Sequence, residues 1–95
     1  MKIFLSRSPI QTKKWRVEFP NGQSVDFGAQ GYSDYTLHKD PRRKYLYIQR
    51  HEARENWRDM YTPGFWARWL LWEKPSLAQA ISFVERKFRV QVVRR

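Results

Sequence analysis

Six acidic and histidine side chains in the middle of the chain have the residue types that could catalyse a reaction or hold a metal ion. They are Asp34, His38, Asp40, His51, Glu52 and Glu55. A small metal-dependent nuclease would use carboxylates and imidazoles of this kind, with Asp34, His38 and Asp40 at its centre. The zinc-binding pattern His-Glu-x-x-His is incomplete, because no second histidine follows His51 and Glu52 at that spacing. We therefore expect these side chains to cap helices and to pair with nearby arginines.

Other common catalytic patterns are also missing from the sequence. None of the 4 glycines is followed by the Lys-Ser/Thr of a phosphate-binding loop, and no serine, histidine and acid arrangement stands out. There is no cysteine, which excludes disulfides and thiolate metal sites and fits a reducing compartment. The sequence thus predicts a protein that is not an enzyme and that uses no cofactor and no metal.

A second set of residues has the types and spacing of a nucleic-acid-binding surface. Arg43, Tyr47, Arg50, Arg54 and Arg58 recur at steps of four, three, four and four, so on a continuous helix they would share one face. Arginine interleaved with an aromatic residue suits both phosphate contacts and base stacking. The alternative is a solvated helix face on which neighbouring acidic residues balance the arginines.

Three further residues complete the predicted partner-binding set. Trp66 lies in an aromatic run, residues 65–72, that has more tryptophan than a small core needs, so it could dock on a protein partner. A plain core helix is the competing interpretation of that run. Lys13 and Lys14 flank an aromatic strand that could enter a DNA groove or pair its edge with another chain.

The net charge of +10 predicts an anionic partner: nucleic acid, an acidic protein surface or an anionic membrane surface. The positive charge is spread along the chain, and only Arg94 and Arg95 resemble a short basic tail. The longest apolar run, residues 69–72, is far shorter than the ~20 residues that a membrane-spanning helix needs. We expect a folded basic surface and no membrane span.

The sequence pattern of the strands and helices that must position these residues predicts an α+β fold. Apolar and polar residues alternate over 15–19 and again over 25–27, the period of half-buried strands, with the turn pair Asn21-Gly22 between them. An N-terminal β-hairpin is therefore expected at 14–27. It would pack on three helices, and a C-terminal strand after Arg89 is a candidate to join it.

The three helices are each marked by a capping residue. The first should begin after Asp40 and run from Pro41 to about Trp57, and the second should cover 64–73. The third should follow Ser76, with an apolar stripe at helical spacing. Residues 1–13 are expected to form an extended arm and residues 14–95 a single compact domain.

The predicted core combines the apolar side of the hairpin with the apolar faces of the three helices. It consists of Trp15, Val17, Phe19, Val25, Phe27, Tyr45, Ile48, Phe65, Trp69, Trp72, Leu77, Ile81, Val84 and Phe88.

Several of these stretches, taken in order, are similar to a family of short proteins and domains of nucleocytoplasmic large DNA viruses, the giant viruses. The similarity spans roughly residues 14–88. It rests on the runs 15–22, 25–29, 31–36, 38–44, 54–57 and 64–77, the last reading Gly-Phe-Trp-Ala-Arg-Trp-Leu-Leu-Trp-Glu-Lys-Pro-Ser-Leu. The resemblance implies a viral origin and carries over no catalytic residues.

A viral origin implies, by analogy, a minor capsid protein of the virion, assembled in the host cytoplasm. Such a small basic protein would join neighbouring capsid subunits by adhesion, with viral capsid proteins as its partners. The alternative function is binding of DNA or RNA during viral genome packaging or transcription. Both functions need basic charge and exposed aromatic residues, so the sequence leaves the choice open.

Overall fold

The structure, a computed structural model, describes residues 1–95, and its centre is a four-stranded mixed sheet. The strands are β1 (Lys2–Arg7), β2 (Lys13–Glu18), β3 (Ser24–Ala29) and β4 (Gln91–Arg94). Their order is β3-β2-β1-β4; β2 pairs antiparallel with both β1 and β3, whereas β4 runs parallel to β1. The α+β fold class is confirmed, including the hairpin and the C-terminal strand.

The helices cover one face of this sheet and continue beyond its edge. They are α1 (Tyr35–His38), α2 (Pro41–His51), α3 (Pro63–Trp66) and α4 (Leu77–Phe88). A π-helical turn, Ala67–Leu71, directly continues α3. No helix in the structure is long and apolar enough to cross a membrane.

The start of the chain corrects the arm expected at 1–13. Residues 2–7 are extended, but they form an inner strand of the sheet with β2 on one side and β4 on the other. Ile3 and Leu5 point into the core and are fully buried. Their alternation with Lys2 and Ser6 is the strand pattern that identifies this segment. The folded domain therefore begins before residue 14.

The hairpin connection differs from the expected type I′ turn. The amide of Gly22 donates to the carbonyl of Phe19 at 3.0 Å, so Pro20 and Asn21 occupy the two central positions. Gly22 follows with a φ of 88°, while Asn21 keeps a negative φ. This is the three-residue loop in which a glycine forms the bulge. Pro20 favours it, because its fixed φ suits the first central position.

Most of the predicted core is confirmed, and α4 supplies its clearest helical face. Val84 and Ala80 are fully buried, and Ser76 caps the helix by accepting the amide of Gln79 at 3.2 Å. Two predictions are wrong: the side chain of Tyr45 is 59% exposed, and Ile48 is only half-buried and lies outside the apolar cluster. The prediction also missed part of the apolar cluster: Ile3, Leu5, Trp66, Leu70, Leu71, Ala80, Val90 and Val92.

Two predicted helices have different bounds in the structure. Helix α2 ends at His51 rather than near Trp57, and the expected helix 64–73 is the short α3 with its π-helical turn. Beyond α2 the side chain of Asn56 accepts the amide of Arg58, and that of Asp59 accepts the amide of Tyr61. Such local bonds compete with the helical pattern and form turns instead.

Candidate functional site

A cleft of about 460 Å³ lies between α2, the end of β3 and the π-helical turn. Four of the predicted partner-binding residues line it: Lys14, Arg43, Tyr47 and Arg50. Its apolar wall comes from Ala67, Leu71 and Trp72. The volume falls within the range of small-molecule sites, and we call this feature the α2 cleft.

Tyr47 is the residue that attaches α2 to the rest of the molecule. Its ring stacks on Trp72 with centroids 4.2 Å apart and planes 3° apart, and His51 stacks on it at 4.3 Å. Only 7% of the residue is exposed, which corrects its predicted place on a solvated arginine face. Burial raises the pKa of the Tyr47 hydroxyl, and the charge of Glu55 adds to that shift. The phenol is therefore a neutral hydrogen-bond donor at physiological pH.

The charged residues of the α2 cleft fall into paired and unpaired groups. Lys14 donates to Asp34 at 2.7 Å and to the Tyr32 carbonyl at 2.5 Å, so its charge is balanced by a carboxylate that is only 2% exposed. Arg43 and Arg50 are exposed and form no ion pair. They are the free positive charges of the cleft.

The other predicted partner residues do not join this site. Arg54 and Arg58 are exposed in the turns after α2, so the predicted five-residue stripe is wrong. Lys13 pairs with Ala29 on the sheet, but its own side chain does not line the cleft. Trp66 is fully buried, and its indole nitrogen donates to the Met60 carbonyl at 2.7 Å.

The residues of the hypothetical nuclease serve local structure instead. Asp34 accepts the Thr36 amide and caps α1, and Asp40 accepts the Arg42 amide and caps α2. His38 Nδ1 accepts the amide of Asp40 at 3.0 Å. No group of acidic or histidine side chains converges as a metal site would require.

Neither Glu55 nor His38, which lie near the cleft, is paired with an arginine. Glu55 lies 3.5 Å from His51 and accepts the Trp57 indole N–H at 2.8 Å, so its partners are not the arginines expected. Burial lowers the pKa of His38, and the nearby charge of Arg43 lowers it further. The Nε2 atom of His38 is buried without a hydrogen-bond partner.

A second feature, missed by the sequence reasoning, is a basic and aromatic surface along α4. Lys74 lies 5.1 Å from the ring of Phe83, and Lys87 lies 5.0 Å from the ring of Trp69. The two rings stack on each other at 5.8 Å. Arg86 extends from the same side of α4 and shares a surface depression with Lys74. We call these five residues the α4 surface.

The α4 surface is positive because the nearby acidic residues are engaged elsewhere. Residues 63–95 contain two acids, Glu73 and Glu85. Glu73 pairs with Arg68 at 2.8 Å, and Glu85 accepts the Val92 amide at 2.9 Å. No ion pair involves the basic side chains of the α4 surface. The sequence signal that could have revealed this surface is the excess of basic over acidic residues after residue 62.

Comparison with known proteins identifies a family but suggests no activity. No curated protein and no solved structure matches the chain. One family model matches residues 4–51, which include most of β1, all of β2, β3, α1 and α2, and one wall of the α2 cleft. Since that match covers more than half of the 95 residues, the chain belongs to the family of unknown function DUF5754.

Proposed function

We propose that the protein binds nucleic acid through the α4 surface, without sequence specificity and without catalysis. The observation that carries this proposal is the side of α4 on which Lys74, Arg86 and Lys87 lie together with no carboxylate to neutralise them. Unpaired cations on one surface attract the phosphate backbone and release its counterions. The net charge of +10 adds long-range attraction to that local contact.

The aromatic residues of the α4 surface favour a nucleic acid over other polyanions. Phe83 and Trp69 are half-buried, so packing fixes their rings while part of each ring stays at the surface. Aromatic rings beside basic side chains bind bases next to phosphates in proteins that hold single strands. Single-stranded DNA or RNA is therefore the expected partner.

The test compares two variants that lose equal charge from different places. The double variant Arg86→Gln, Lys87→Gln removes two cations from the α4 surface, while Arg54→Gln, Arg58→Gln removes two from the exposed turns after α2. Affinity for single-stranded oligonucleotides should be measured by fluorescence anisotropy at several salt concentrations. The first variant should reduce the slope of log affinity against log salt by about 1.4, since each single-strand phosphate contributes ~0.7. Equal weakening by both variants would contradict the proposal, because it would show a response to net charge alone.

A structural role in a giant-virus capsid remains the second candidate function. It is favoured by exposed apolar residues on α1 and α2: Leu37 is 63% exposed, Tyr45 59% and Leu46 44%. Tyrosine beside arginine is typical of residues that dominate protein interfaces. Besides the resemblance to giant-virus proteins, this function was motivated by surplus tryptophan and an extended arm, and the structure weakens both, since Trp66 is buried and residues 2–7 form a strand.

The two candidate functions predict different positions in a purified virion. A capsid protein should fractionate with the shell and repeat with its lattice, and it should lose that association in a Tyr45→Ala, Leu46→Ala variant. A nucleic-acid-binding protein should fractionate with the genome and be released by nuclease digestion. Recovery in the shell fraction after complete nuclease digestion would favour the capsid function over our proposal.

A further inference from the structure

We propose that the α2 cleft is a separate site for a nucleotide, a ligand in which a phosphate is joined to a flat ring. This inference goes beyond nucleic-acid binding by the α4 surface, because no residue of that surface lines the cleft. It is carried by the cleft's free cations, by a phenol hydroxyl that has no partner within the protein and by the combination of polar and apolar groups that line it.

The cations favour an anionic ligand at the start of α2. Arg43 and Arg50 lie on the same wall, two helical turns apart, or ~10 Å along the axis. Near Arg43 the only carboxylate of the cleft is Asp34, which Lys14 and the amide of Thr36 already engage. A phosphate there would meet a guanidinium with no competing anion, and such charge-assisted bonds are among the stronger ones in proteins.

The hydroxyl of Tyr47 lies on the same wall, between the two arginines in sequence. The residue is only 7% exposed, and its hydroxyl forms no hydrogen bond within the protein. The buried polar atoms without a partner are His38 Nε2 and Arg68 Nε, so the Tyr47 hydroxyl is open to water, which a ligand acceptor would replace. Because both faces of the Tyr47 ring are covered by Trp72 and His51, its hydroxyl is the group left to meet a ligand.

The cleft also has an apolar lining and a second carboxylate. Ala67 and Leu71 of the π-helical turn supply apolar surface on which a flat ring could lie. Glu55 accepts the Trp57 indole N–H and lies 3.5 Å from His51, and the remaining lone pairs of its carboxylate suit the amino group of a base or the hydroxyls of a ribose. A volume of about 460 Å³ is far more than a lone phosphate needs and fits a drug-sized molecule.

Two glycines keep the walls of the cleft close together. A Cβ on Gly28 would lie 3.0 Å from a methyl carbon of Leu71 and 3.2 Å from Lys14, and the φ of this residue is +79°. A Cβ on Gly64 would lie 2.8 Å from the carboxylate of Glu55. The π-helical turn widens the helix where it faces the ligand space, and such turns occur frequently at functional sites.

The same chemistry is offered by a free nucleotide and by the phosphorylated end of a strand. Titrations of the full chain should therefore use AMP, adenosine, inorganic phosphate, and a short oligonucleotide with and without a 5′-phosphate. Calorimetry measures the affinity, and tryptophan fluorescence reports on Trp72. We expect AMP or the phosphorylated end to bind at least about tenfold more tightly than adenosine or phosphate alone, because neither fragment makes both sets of contacts.

Variants assign that binding to the cleft. Tyr47→Phe keeps the ring stack and removes one hydrogen bond, so affinity should fall about fivefold. Arg43→Gln should weaken binding at least about tenfold, whereas the matched Arg54→Gln change outside the cleft should have no effect. Near-ultraviolet circular dichroism checks that each variant keeps the Tyr47 and Trp72 stack.

The outcomes also separate this site from the α4 surface. Arg86→Gln, Lys87→Gln should leave AMP binding unchanged even where it abolishes strand binding, so each proposal can fail alone. Preference for the 5′-phosphorylated strand that depends on Arg43 identifies a strand end as the ligand. The absence of any saturable, Arg43-dependent binding of AMP or a phosphorylated end would overturn the inference.

Discussion

The two long helices are attached to the molecule in different ways. Helix α4 buries an apolar face that includes Ala80 and Val84 in the core cluster beneath the sheet. Helix α2 has one buried residue, Tyr47, and its other links to the core are polar, such as the 2.8 Å bond from Lys44 to the Glu73 carbonyl. Many apolar contacts hold α4 in the core, whereas the attachment of α2 depends on one aromatic stack and a few charges.

This difference indicates where the molecule can open. Segments with few buried apolar contacts open locally at lower free energy than the global unfolding of the domain. The α2 cleft lies at the boundary between the two kinds of attachment, with the core on one wall and α2 on the other. A ligand that touches both walls would therefore also fix the position of α2.

The largest effect is expected for Trp66→Ala, in the well-packed region. Trp66 is fully buried against Phe65, Phe27 and Phe19, and its indole bonds to the Met60 carbonyl. The cavity and lost contacts should reduce the free energy of unfolding by about 3–5 kcal/mol, measured by chemical denaturation. The exposed Tyr45→Ala serves as the control, with a change within about 0.5 kcal/mol. A small loss of unfolding free energy in Trp66→Ala would mean that the core is not packed more tightly than the region around α2.

Tyr47→Ala should have a smaller and more local effect. Loss of the stack with Trp72 and His51 should destabilise the attachment of α2 by about 2–3 kcal/mol. In hydrogen exchange, amides of α2 should lose protection by far more than amides of β1 and β2, because the sheet keeps its own core. Equal loss of protection everywhere would show that α2 and the core unfold as one unit, and the comparison would break down.

Glu73→Gln tests the charges that connect the two regions. Glu73 accepts a 2.8 Å bond from Arg68, which is 9% exposed and lies between the rings of Trp57 and Trp69. Removing the carboxylate charge leaves that guanidinium poorly compensated and weakens the attraction for Lys44, 3.8 Å away. We expect a loss of about 2 kcal/mol in the free energy of unfolding, less than for a fully enclosed pair. A neutral result would mean that the Glu73 carboxylate does not hold α2, which would leave the Tyr47 stack and the Lys44 bond to the Glu73 carbonyl.

The smallest expected effect is a pH dependence from His38. Its pKa is lowered from the ordinary 6.5, first by burial and then by Arg43, against the opposing charges of Asp40 and Asp34. Below about pH 6.5 the unfolded chain therefore binds the proton more readily than the folded chain, so stability falls with pH down to the folded pKa. Denaturation of the wild type and His38→Gln should show a shallower decline in the variant as the pH falls below about 6.5. Identical declines would mean that other groups set the pH response.

Local patterns in the sequence were sufficient to predict the elements that nearby residues stabilise. The hairpin and α4 were predicted because alternation, a turn glycine and a serine cap are each visible within a few residues. The predicted arginine stripe failed because its spacing has meaning only while α2 continues, and α2 ends at His51, before Arg54 and Arg58. The cleft itself was not predicted: Arg43, Tyr47 and Arg50 were grouped because they share a helix, but the facing wall comes from distant residues.

The features that the sequence reasoning missed depend on contacts between distant residues. In a short run where apolar groups surround the helix, no local pattern shows that Trp66 is the tryptophan that is buried completely. The α4 surface is positive because Glu73 turns to Arg68 and Glu85 to the Val92 amide, and no spacing rule contains those contacts. The strand at residues 2–7 was mistaken for an arm because one of its partners is β4, almost the whole chain away.

That parallel pairing of β1 with β4 has a consequence for how the protein is made. Ile3 lies beside Val92 and Leu5 beside Arg94, so the inner strand lacks one neighbour until the last of these residues has been synthesised. A ribosome adds ~5–20 residues per second, so the nascent hairpin waits several seconds with an open strand edge. Contacts so distant along the chain also slow folding. During translation the open edge of β1 is therefore the place where a chaperone, or a second nascent chain, would first attach.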